Sequence, residues 1–116
     1  MKKRSFDLIL YGATGFVGQR AMAYLASHAA SGTRWAIAGR SRAKLEAARS
    51  AAAKQHAALQ DIPIVIADAQ DQAALNDLAR STRVVLSCAG PYALYGSKMV
   101  AACVAHQTHY YICDCF

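Results

Sequence analysis

The chain of 116 residues is 55% hydrophobic and 17% charged, and its formal net charge is +6. This length suits one domain with one modest core, and the apolar content excludes a disordered chain. A basic balance favours anionic partners, but the basic residues are dispersed apart from Lys2-Lys3-Arg4 and do not alternate with aromatic residues. Cofactor phosphates are therefore expected rather than nucleic acid. No apolar run reaches the ~18–20 residues of a membrane-spanning helix, so no membrane partner is expected.

Short apolar runs alternate with segments of helical periodicity along the chain. Strands are predicted at residues 6–11, 35–38, 64–67, 83–88 and 110–113. Helices are predicted at 16–30, from the N-cap Ser41 to about 56, from the N-cap Asp71 to 79, and from the N-cap Ser97 to 105. This alternation implies right-handed crossovers and a parallel sheet, and nearly all-apolar strands imply helices on both faces. The predicted fold is an α/β domain of the Rossmann type, a doubly wound parallel sheet of about five strands in the order 3-2-1-4-5.

The periodicity also predicts which helix faces are buried. The expected core positions are Val17, Ala21, Leu25 and His28 in the first helix, Leu45, Ala48 and Ala52 in the second, Ala74, Leu75 and Leu78 in the third, and Val100, Cys103 and Val104 in the fourth.

The glycine turn Gly12-Ala13-Thr14-Gly15-Phe16-Val17-Gly18 joins the first strand to the first helix. Gly12 allows the sharp turn, Gly15 lets the backbone approach a pyrophosphate, and Gly18 lets the helix pack closely on the sheet. The free N–H groups and positive dipole end of the helix favour phosphates. The spacing is GxxGxxG, and its setting between strand and helix indicates a dinucleotide site. The alternative is a glycine-rich turn without a ligand.

The end of the second strand favours NADP(H) over NAD(H). An NAD site usually has an acidic residue there, about 20 residues past the glycines, but no acidic residue occurs between Asp7 and Glu46. Arg40 stands 22 residues after Gly18, and a guanidinium binds a 2′-phosphate through paired hydrogen bonds. Ser41 adds a hydroxyl. Arg42 and Lys44 add positive charge, or belong to a solvated helix face.

Two further segments follow predicted strand ends at the same edge of the sheet. Asp68 ends the third strand, where its carboxylate either accepts a hydrogen bond from the adenine amino group or has a capping or turn role. Ala89-Gly90-Pro91 follows the fourth strand and flanks the crevice at the switch point, with residues small enough to let a cofactor lie across them. Tyr92 and Tyr95 are expected either near the nicotinamide or in packing roles.

The remaining reactive side chains predict no further chemistry. Four cysteines lie within the last 29 residues and are expected to be reduced thiols, as in a cytoplasmic protein. Asp7 interrupts the apolar run after the basic start, which argues against a signal peptide. Cys103, His106, His109, Cys113 and Cys115 lack the spacing of a zinc site, so no metal is expected. Cys88 is expected to be a small buried apolar residue rather than a nucleophile.

No catalytic residue is assigned. Short-chain dehydrogenases donate a proton from a Tyr-x-x-x-Lys pair, whereas Tyr95 and Lys98 here are three residues apart. No other general acid is supported by the sequence.

Three segments together resemble a known family. They are Tyr11–Gly18, Ala38–Ser41 with Lys44-Leu45, and Cys88–Tyr92 followed by Tyr95-Gly96. They look like the N-terminal NADP-binding domain of saccharopine dehydrogenase-like oxidoreductases, a group that includes the trans-acting enoyl reductases. The resemblance extends to about Tyr110. It implies NADP(H) as the cofactor and, in intact members, hydride transfer between NADPH and a substrate with a C–N or C–C double bond.

The sequence departs from this family at its end. Members continue with a segment like D-x-x-G-E and a substrate domain, whereas this chain gives Ile112-Cys113-Asp114-Cys115-Phe116. Residues 1–116 are therefore expected to form a single dinucleotide-binding domain, as a fragment, a truncated product or a frameshifted end. The alternative function is a non-enzymatic NADP-binding regulator or an inactive truncated product. The edge of the fifth strand would then be open to pairing with a second copy.

Overall fold

A computed structural model of the chain describes residues 4–29, 32–88 and 97–112. Strands and helices alternate along the chain. They are β1 (Leu8–Tyr11), α1 (Phe16–His28), β2 (Trp35–Gly39), α2 (Arg42–Ala53), a 3-10 helix (Ala57–Asp61), β3 (Ile64–Ile66), α3 (Gln72–Ser81), β4 (Val84–Ser87), α4 (Ser97–Ala105) and β5 (His109–Ile112).

The five strands form one parallel sheet in the order β3-β2-β1-β4-β5. The predicted strand order is confirmed. β1, β3 and β4 are shorter than predicted at one or both ends, whereas β2 extends one residue further, to Gly39. β5 begins one residue earlier than predicted, at His109, and its predicted last residue lies outside the described residues. Phe6, expected within the first strand, instead forms an isolated bridge with Thr82. The strand order reverses at β1, which pairs with β2 on one side and β4 on the other.

Helices cover both faces of the sheet, as predicted. Successive strand residues point to opposite faces, so Ile9 and Tyr11 pack with α3 and α4, whereas Leu10 packs with α1 and α2. The first core cluster includes Ala36, Ala38, Val85, Leu75, Leu78, Met99, Ala102 and Cys103; the second includes Trp35, Ile37, Met22, Leu45, Ala48 and Leu59. The buried area on each face holds the helices against the sheet through the hydrophobic effect.

Two predicted helix N-caps are confirmed. Ser41 Oγ accepts a hydrogen bond from the backbone N–H of Lys44 at 3.3 Å. Asp71 Oδ1 accepts one from the N–H of Ala74 at 3.2 Å. Each bond satisfies a donor that the first helical turn cannot pair internally. Ser97 is the first residue of α4 and not the residue before it, so the third predicted cap is wrong.

The buried faces of α1 and α4 match the predicted ones only in part, since Ala21 and Leu25 pack against the second core cluster and Cys103 is buried. α1 buries Gly18 and Met22, whereas His28 is exposed and stacks on Tyr24 with ring centroids 4.2 Å apart. α4 buries Met99, Ala102 and Cys103, whereas Val104 is 73% exposed. Both helices carry apolar residues on most sides, so periodicity alone does not select the face that meets the sheet. The predicted faces of α2 and α3 are confirmed at Leu45, Ala48, Leu75 and Leu78.

β5 is the outer strand of the sheet formed by the described residues. Tyr110 packs against the first core cluster, whereas Tyr111 is 59% exposed and Ile112 is 45% exposed. Pairing of this edge with a second copy stays a prediction. No helix in the described part of the chain is long and apolar enough to cross a membrane.

Candidate functional site

A cavity of about 450 Å³ opens at the carboxyl ends of the parallel strands. Residues at or just after the ends of β1, β2, β3 and β4 line it: Tyr11, Gly12, Thr14, Gly15, Gly39, Arg40, Asp68, Ala69, Gln70 and Cys88. Open α/β sheets bind ligands outside the carboxyl ends of their strands, where the strand order reverses. The cavity therefore has the position of a ligand site.

Two glycines of the turn are required by the protein's own backbone. Gly12 has φ +81°, a left-handed conformation that side chains rarely adopt. At Gly18 a Cβ atom would lie 2.3 Å from the carbonyl oxygen of Gly12 and 2.7 Å from Cα of Ala13. Gly12 thus allows the turn, and Gly18 allows α1 to pack against it.

The protein itself does not require glycine at position 15. The backbone at Gly15 has φ −78° and ψ 174°, which any residue adopts. Among the described residues, the nearest atom to a Cβ there would be the carbonyl oxygen of Gly12, at 3.9 Å. Gly15 is exposed and lines the cavity. The missing side chain therefore leaves space for something other than protein, as expected where a ligand approaches the backbone.

The start of α1 offers unpaired backbone donors beside this space. Gly15 is the N-cap and provides no side-chain acceptor, and the first turn contains no acidic residue. The first N–H groups of the helix thus lack side-chain partners and favour an anion.

Other members of the glycine turn lie outside the cavity lining. Ala13 is fully buried in the second core cluster. Phe16 is 71% exposed, and the guanidinium carbon of Arg20 lies 4.7 Å from its ring centroid. Val17 is half-buried and Gly18 is buried. Their part in cofactor binding stays a prediction.

Arg40 brings a positive charge to the cavity directly after β2. It is exposed, and the next residue, Ser41, is committed to capping α2. Arg42 and Lys44 are exposed on α2 and do not belong to the cavity lining. The structure thus brings Arg40 together with the glycine turn, and does not bring Arg42 or Lys44 there.

Asp68 lines the cavity and also shapes the turn after β3. Its Oδ1 accepts a hydrogen bond from the N–H of Gln70, and its carbonyl oxygen accepts one from the N–H of Asp71, both at 2.9 Å. The predicted turn role is therefore present. Since the side chain is exposed at the cavity, its second carboxylate oxygen is available for a ligand donor.

Several lining residues were not predicted as site residues. Tyr11 and Gly39 directly precede Gly12 and Arg40, and Ala69-Gln70 directly follows Asp68. Burial raises the pKa of the Tyr11 phenol to about 12, with a further rise from the charge of Asp68 and an opposing effect of Arg40. The phenol is therefore protonated at neutral pH and acts as a donor. These four residues can be found from the sequence, because each lies next to or near a predicted site residue at a strand end.

Some predictions fall outside the described residues. These are Ala89-Gly90-Pro91, Tyr92, Tyr95, Cys113 and Cys115. Cys88 is half-buried and lines the cavity, and Cys103 is buried in α4; neither forms a disulfide. Within residues 4–29, 32–88 and 97–112, no group of three or more His, Cys, Asp or Glu side chains is placed to hold a metal ion.

Comparison with known sequences gives a consistent family. The family model described as "Saccharopine dehydrogenase NADP binding domain" matches residues 8–114. A trans-acting enoyl reductase of Mycobacterium tuberculosis (strain ATCC 25618 / H37Rv) is 42% identical over 108 residues, which is 93% of this chain and 25% of that protein. A saccharopine dehydrogenase-like oxidoreductase of Rattus norvegicus is 37% identical over 115 residues, covering 92% of this chain and 27% of that protein. The chain thus spans about a quarter of the length of the curated relatives it matches.

Solved structures show the same fold. Apo saccharopine dehydrogenase (L-Glu forming) from Saccharomyces cerevisiae superposes with a TM-score of 0.72 at 22% identity, covering 96% of this chain and 22% of that one. A short-chain dehydrogenase/reductase from Veillonella parvula in complex with NADP superposes with a TM-score of 0.66 at 15% identity, covering 92% of this chain and 46% of that one. At these identities the likeness establishes the Rossmann-type architecture.

Proposed function

This chain belongs to the family of saccharopine dehydrogenase NADP-binding domains, and we propose that the cavity at its strand ends is the site that holds NADP(H). NADP(H) is the cofactor of that family. The shape and charge of the cavity support an assignment of individual residues to parts of the cofactor.

The observation that carries this proposal is that the glycine turn and Arg40 line the same cavity. The open space beside Gly15 and the free N–H groups of α1 suit the pyrophosphate, which needs close backbone approach and positive potential. Gly39 lines the cavity between these groups, and a Cβ there would meet Leu45 side-chain atoms at 3.5 Å or more. The packing of the protein does not require glycine at position 39, so the missing side chain leaves room for a ligand.

Arg40 is the group best placed to select NADP(H) over NAD(H). A 2′-phosphate adds charge at the adenosine ribose, and a guanidinium pairs with phosphate through two parallel hydrogen bonds. Asp68, the acidic residue in the cavity lining, follows β3 rather than β2. The β2 end therefore presents a cation where NAD sites usually present a carboxylate. Asp68 is assigned to the adenine amino group, and Ser41 and Lys44 to the outer surroundings of the 2′-phosphate.

We also propose that the domain serves hydride transfer in a longer protein. NADPH, when bound, supplies the hydride, and the protein supplies binding and orientation. The double-bond substrate class, C–N or C–C, comes from the resemblance to saccharopine dehydrogenase-like oxidoreductases. Residues that act on the substrate are expected largely outside this chain, so the 116-residue chain is expected to bind NADPH without turning over substrate.

Titration calorimetry with NADPH and NADH tests the cofactor assignment. The wild-type chain is expected to bind NADPH roughly 10- to 100-fold more tightly than NADH, since a charge-assisted contact contributes about 1.5–3 kcal/mol. Arg40→Ala should remove most of this preference by weakening NADPH binding, while the affinity for NADH changes by less than about threefold.

Arg42→Ala is the matched control, because Arg42 lies outside the cavity lining. It should keep a preference for NADPH within about threefold of wild type. Equal wild-type affinities for the two cofactors, or an unchanged preference in Arg40→Ala, would contradict the assignment of Arg40.

A further inference from the structure

Tyr11 connects two parts of the cavity that are far apart in sequence. It ends β1, directly before Gly12 of the glycine turn, and its side chain is 4% exposed within the first core cluster. Its phenolic oxygen donates a hydrogen bond to the carbonyl oxygen of Ala67 at 2.8 Å. Because β2 lies between β1 and β3 in the sheet, the side chain reaches across β2 to the chain that follows β3.

The residue that receives this bond is held from two sides. The N–H of Ala67 donates to the carbonyl oxygen of Gly39 at 2.8 Å, and its own carbonyl accepts from Tyr11. Ala38, which pairs with Tyr11 in the sheet, is small and fully buried, so β2 leaves space for the phenol ring to cross. A buried phenol needs a partner, and a buried carbonyl left without a donor is costly. The contact thus fixes Ala67 relative to β1.

The chain beyond Ala67 forms a wall of the cavity. Asp68, Ala69 and Gln70 all line it, and the bonds from Gln70 and Asp71 to Asp68 close this wall into a compact turn. Ala69 is 8% exposed and packs in the first core cluster. The wall is therefore internally rigid, and Ala69 in the core and the attachment at Ala67 together hold its position.

We propose that Tyr11 is a positioning residue for recognition of the adenine base, because its bond to Ala67 places the Asp68–Gln70 wall against the base. This rests on the proposed function, in which the cavity holds NADP(H) and Asp68 accepts a hydrogen bond from the adenine amino group. A carboxylate favours that amino group and disfavours a carbonyl at the same position. Tyr11 thereby couples the phosphate-binding turn to base recognition, and acts through the wall rather than on the cofactor's reacting end.

The test compares NADPH with its hypoxanthine analogue, which carries a carbonyl in place of the adenine amino group. The wild-type chain is expected to prefer NADPH by about five- to twentyfold in calorimetry. Tyr11→Phe keeps the ring and removes the donor. It should weaken NADPH binding about fivefold and analogue binding by less than about twofold, as expected for loss of one hydrogen bond. The base preference therefore falls, while the preference for NADPH over NADH is unchanged.

Tyr24→Phe is the matched control, since Tyr24 is 63% exposed on α1 and is not among the described residues that line the cavity. It should leave all three affinities unchanged. An unchanged base preference in folded Tyr11→Phe, or equal wild-type binding of NADPH and the analogue, would overturn the inference while leaving the NADP(H) site intact. Failure of the wild type to bind NADPH at all would overturn the proposed function itself.

A measurement on the wild-type chain does not depend on the variant's folding. The buried Tyr11 hydroxyl proton should exchange slowly with water and show a through-space NMR contact to Ala67, both free and with NADPH bound. If this proton exchanges rapidly in the NADPH complex, the wall is not held by Tyr11 and the inference fails.

Discussion

Cys103 shows how burial sets the chemistry of a single residue. It is 1% exposed in α4, within the core cluster that joins α3 and α4 to the sheet. Burial raises the pKa of its thiol from 9.0 to about 11. The thiol is therefore neutral in the folded protein over the physiological range, which makes it a packing residue rather than a nucleophile or metal ligand.

This raised pKa predicts a loss of stability at alkaline pH. Because the folded-state pKa exceeds the unfolded one, the neutral thiol's contribution is fully present below about pH 9 and is lost as pH rises towards 11. Unfolding by urea should therefore show a free energy that falls between about pH 9 and 11. Cys103→Ala should show a smaller fall over the same range, since it removes this titration and leaves that of Tyr11, which begins higher. An identical pH dependence in both proteins would refute the burial effect.

Residues of the cavity differ in how far the sequence reveals them. Gly12, Gly15, Arg40 and Asp68 are predictable because each follows an apolar run, and parallel strands bring their carboxyl ends to one edge. Tyr11 is different, since its role depends on the bond to Ala67, 56 residues away. Such a contact is set by strand order and register together, and no local pattern encodes it.

At the scale of elements, Arg4 joins the carboxyl ends of two helices. Its Nη1 lies 2.9 Å from the carbonyl oxygen of Ala79, 2.6 Å from that of Thr82 and 2.7 Å from Thr108 Oγ1. Its Nη2 donates to the carbonyl oxygen of His106 at 2.7 Å. These carbonyls lie in or just after the last turns of α3 and α4, where a cation also interacts favourably with the helix dipoles.

Removing this guanidinium should destabilise the domain. We expect Arg4→Met to lower the free energy of unfolding by about 2–3 kcal/mol, because several half-buried carbonyls lose a charged donor. Arg4→Lys should recover only part of this, since one ammonium cannot reproduce the planar donor geometry. Urea denaturation measures both.

Arg83→Met is the control for charge removal, because Arg83 is exposed. Its effect should stay below about 0.5 kcal/mol. If Arg4→Met also remains within that limit, Arg4 does not hold the two helix ends together.

The elements themselves follow largely from the sequence. Ser41 and Asp71 mark helix starts by residue type, and the β2 and α2 apolar patterns match the structure. The buried face of α4 cannot be predicted from the sequence, because Met99, Val100, Cys103 and Val104 are all apolar and only tertiary packing selects among them. The role of Arg4 cannot be predicted from the sequence either, because Arg4 belongs there to a basic run at the start of the chain.

At the scale of the whole molecule, the strand order creates the site. Right-handed crossovers place α1 and α2 on one face of the sheet and α3 and α4 on the other. The strand order therefore diverges to the two sides of β1, with β2 on one side and β4 on the other. The cavity lies at this divergence. Because the alternation of strand and helix segments predicts the strand order, it also predicts the location of the site.

The space beside Gly15 is assigned to the cofactor. Gly15→Ala tests it because the backbone accepts alanine and no atom of the residues that the structure describes lies within 3.4 Å of the added Cβ. Gly18→Ala is the contrasting variant, since its Cβ would overlap the Gly12 carbonyl and should destabilise the fold by about 1–3 kcal/mol.

The decisive measurement is the NADPH affinity of Gly15→Ala together with its free energy of unfolding. We expect the unfolding free energy to stay within about 1 kcal/mol of wild type, because the lower chain entropy of unfolded alanine and its poorer N-cap propensity oppose each other, while NADPH binding weakens by about tenfold or more because the Cβ occupies space that the cofactor needs. A stable Gly15→Ala variant that binds NADPH as tightly as wild type would contradict the assignment of this cavity.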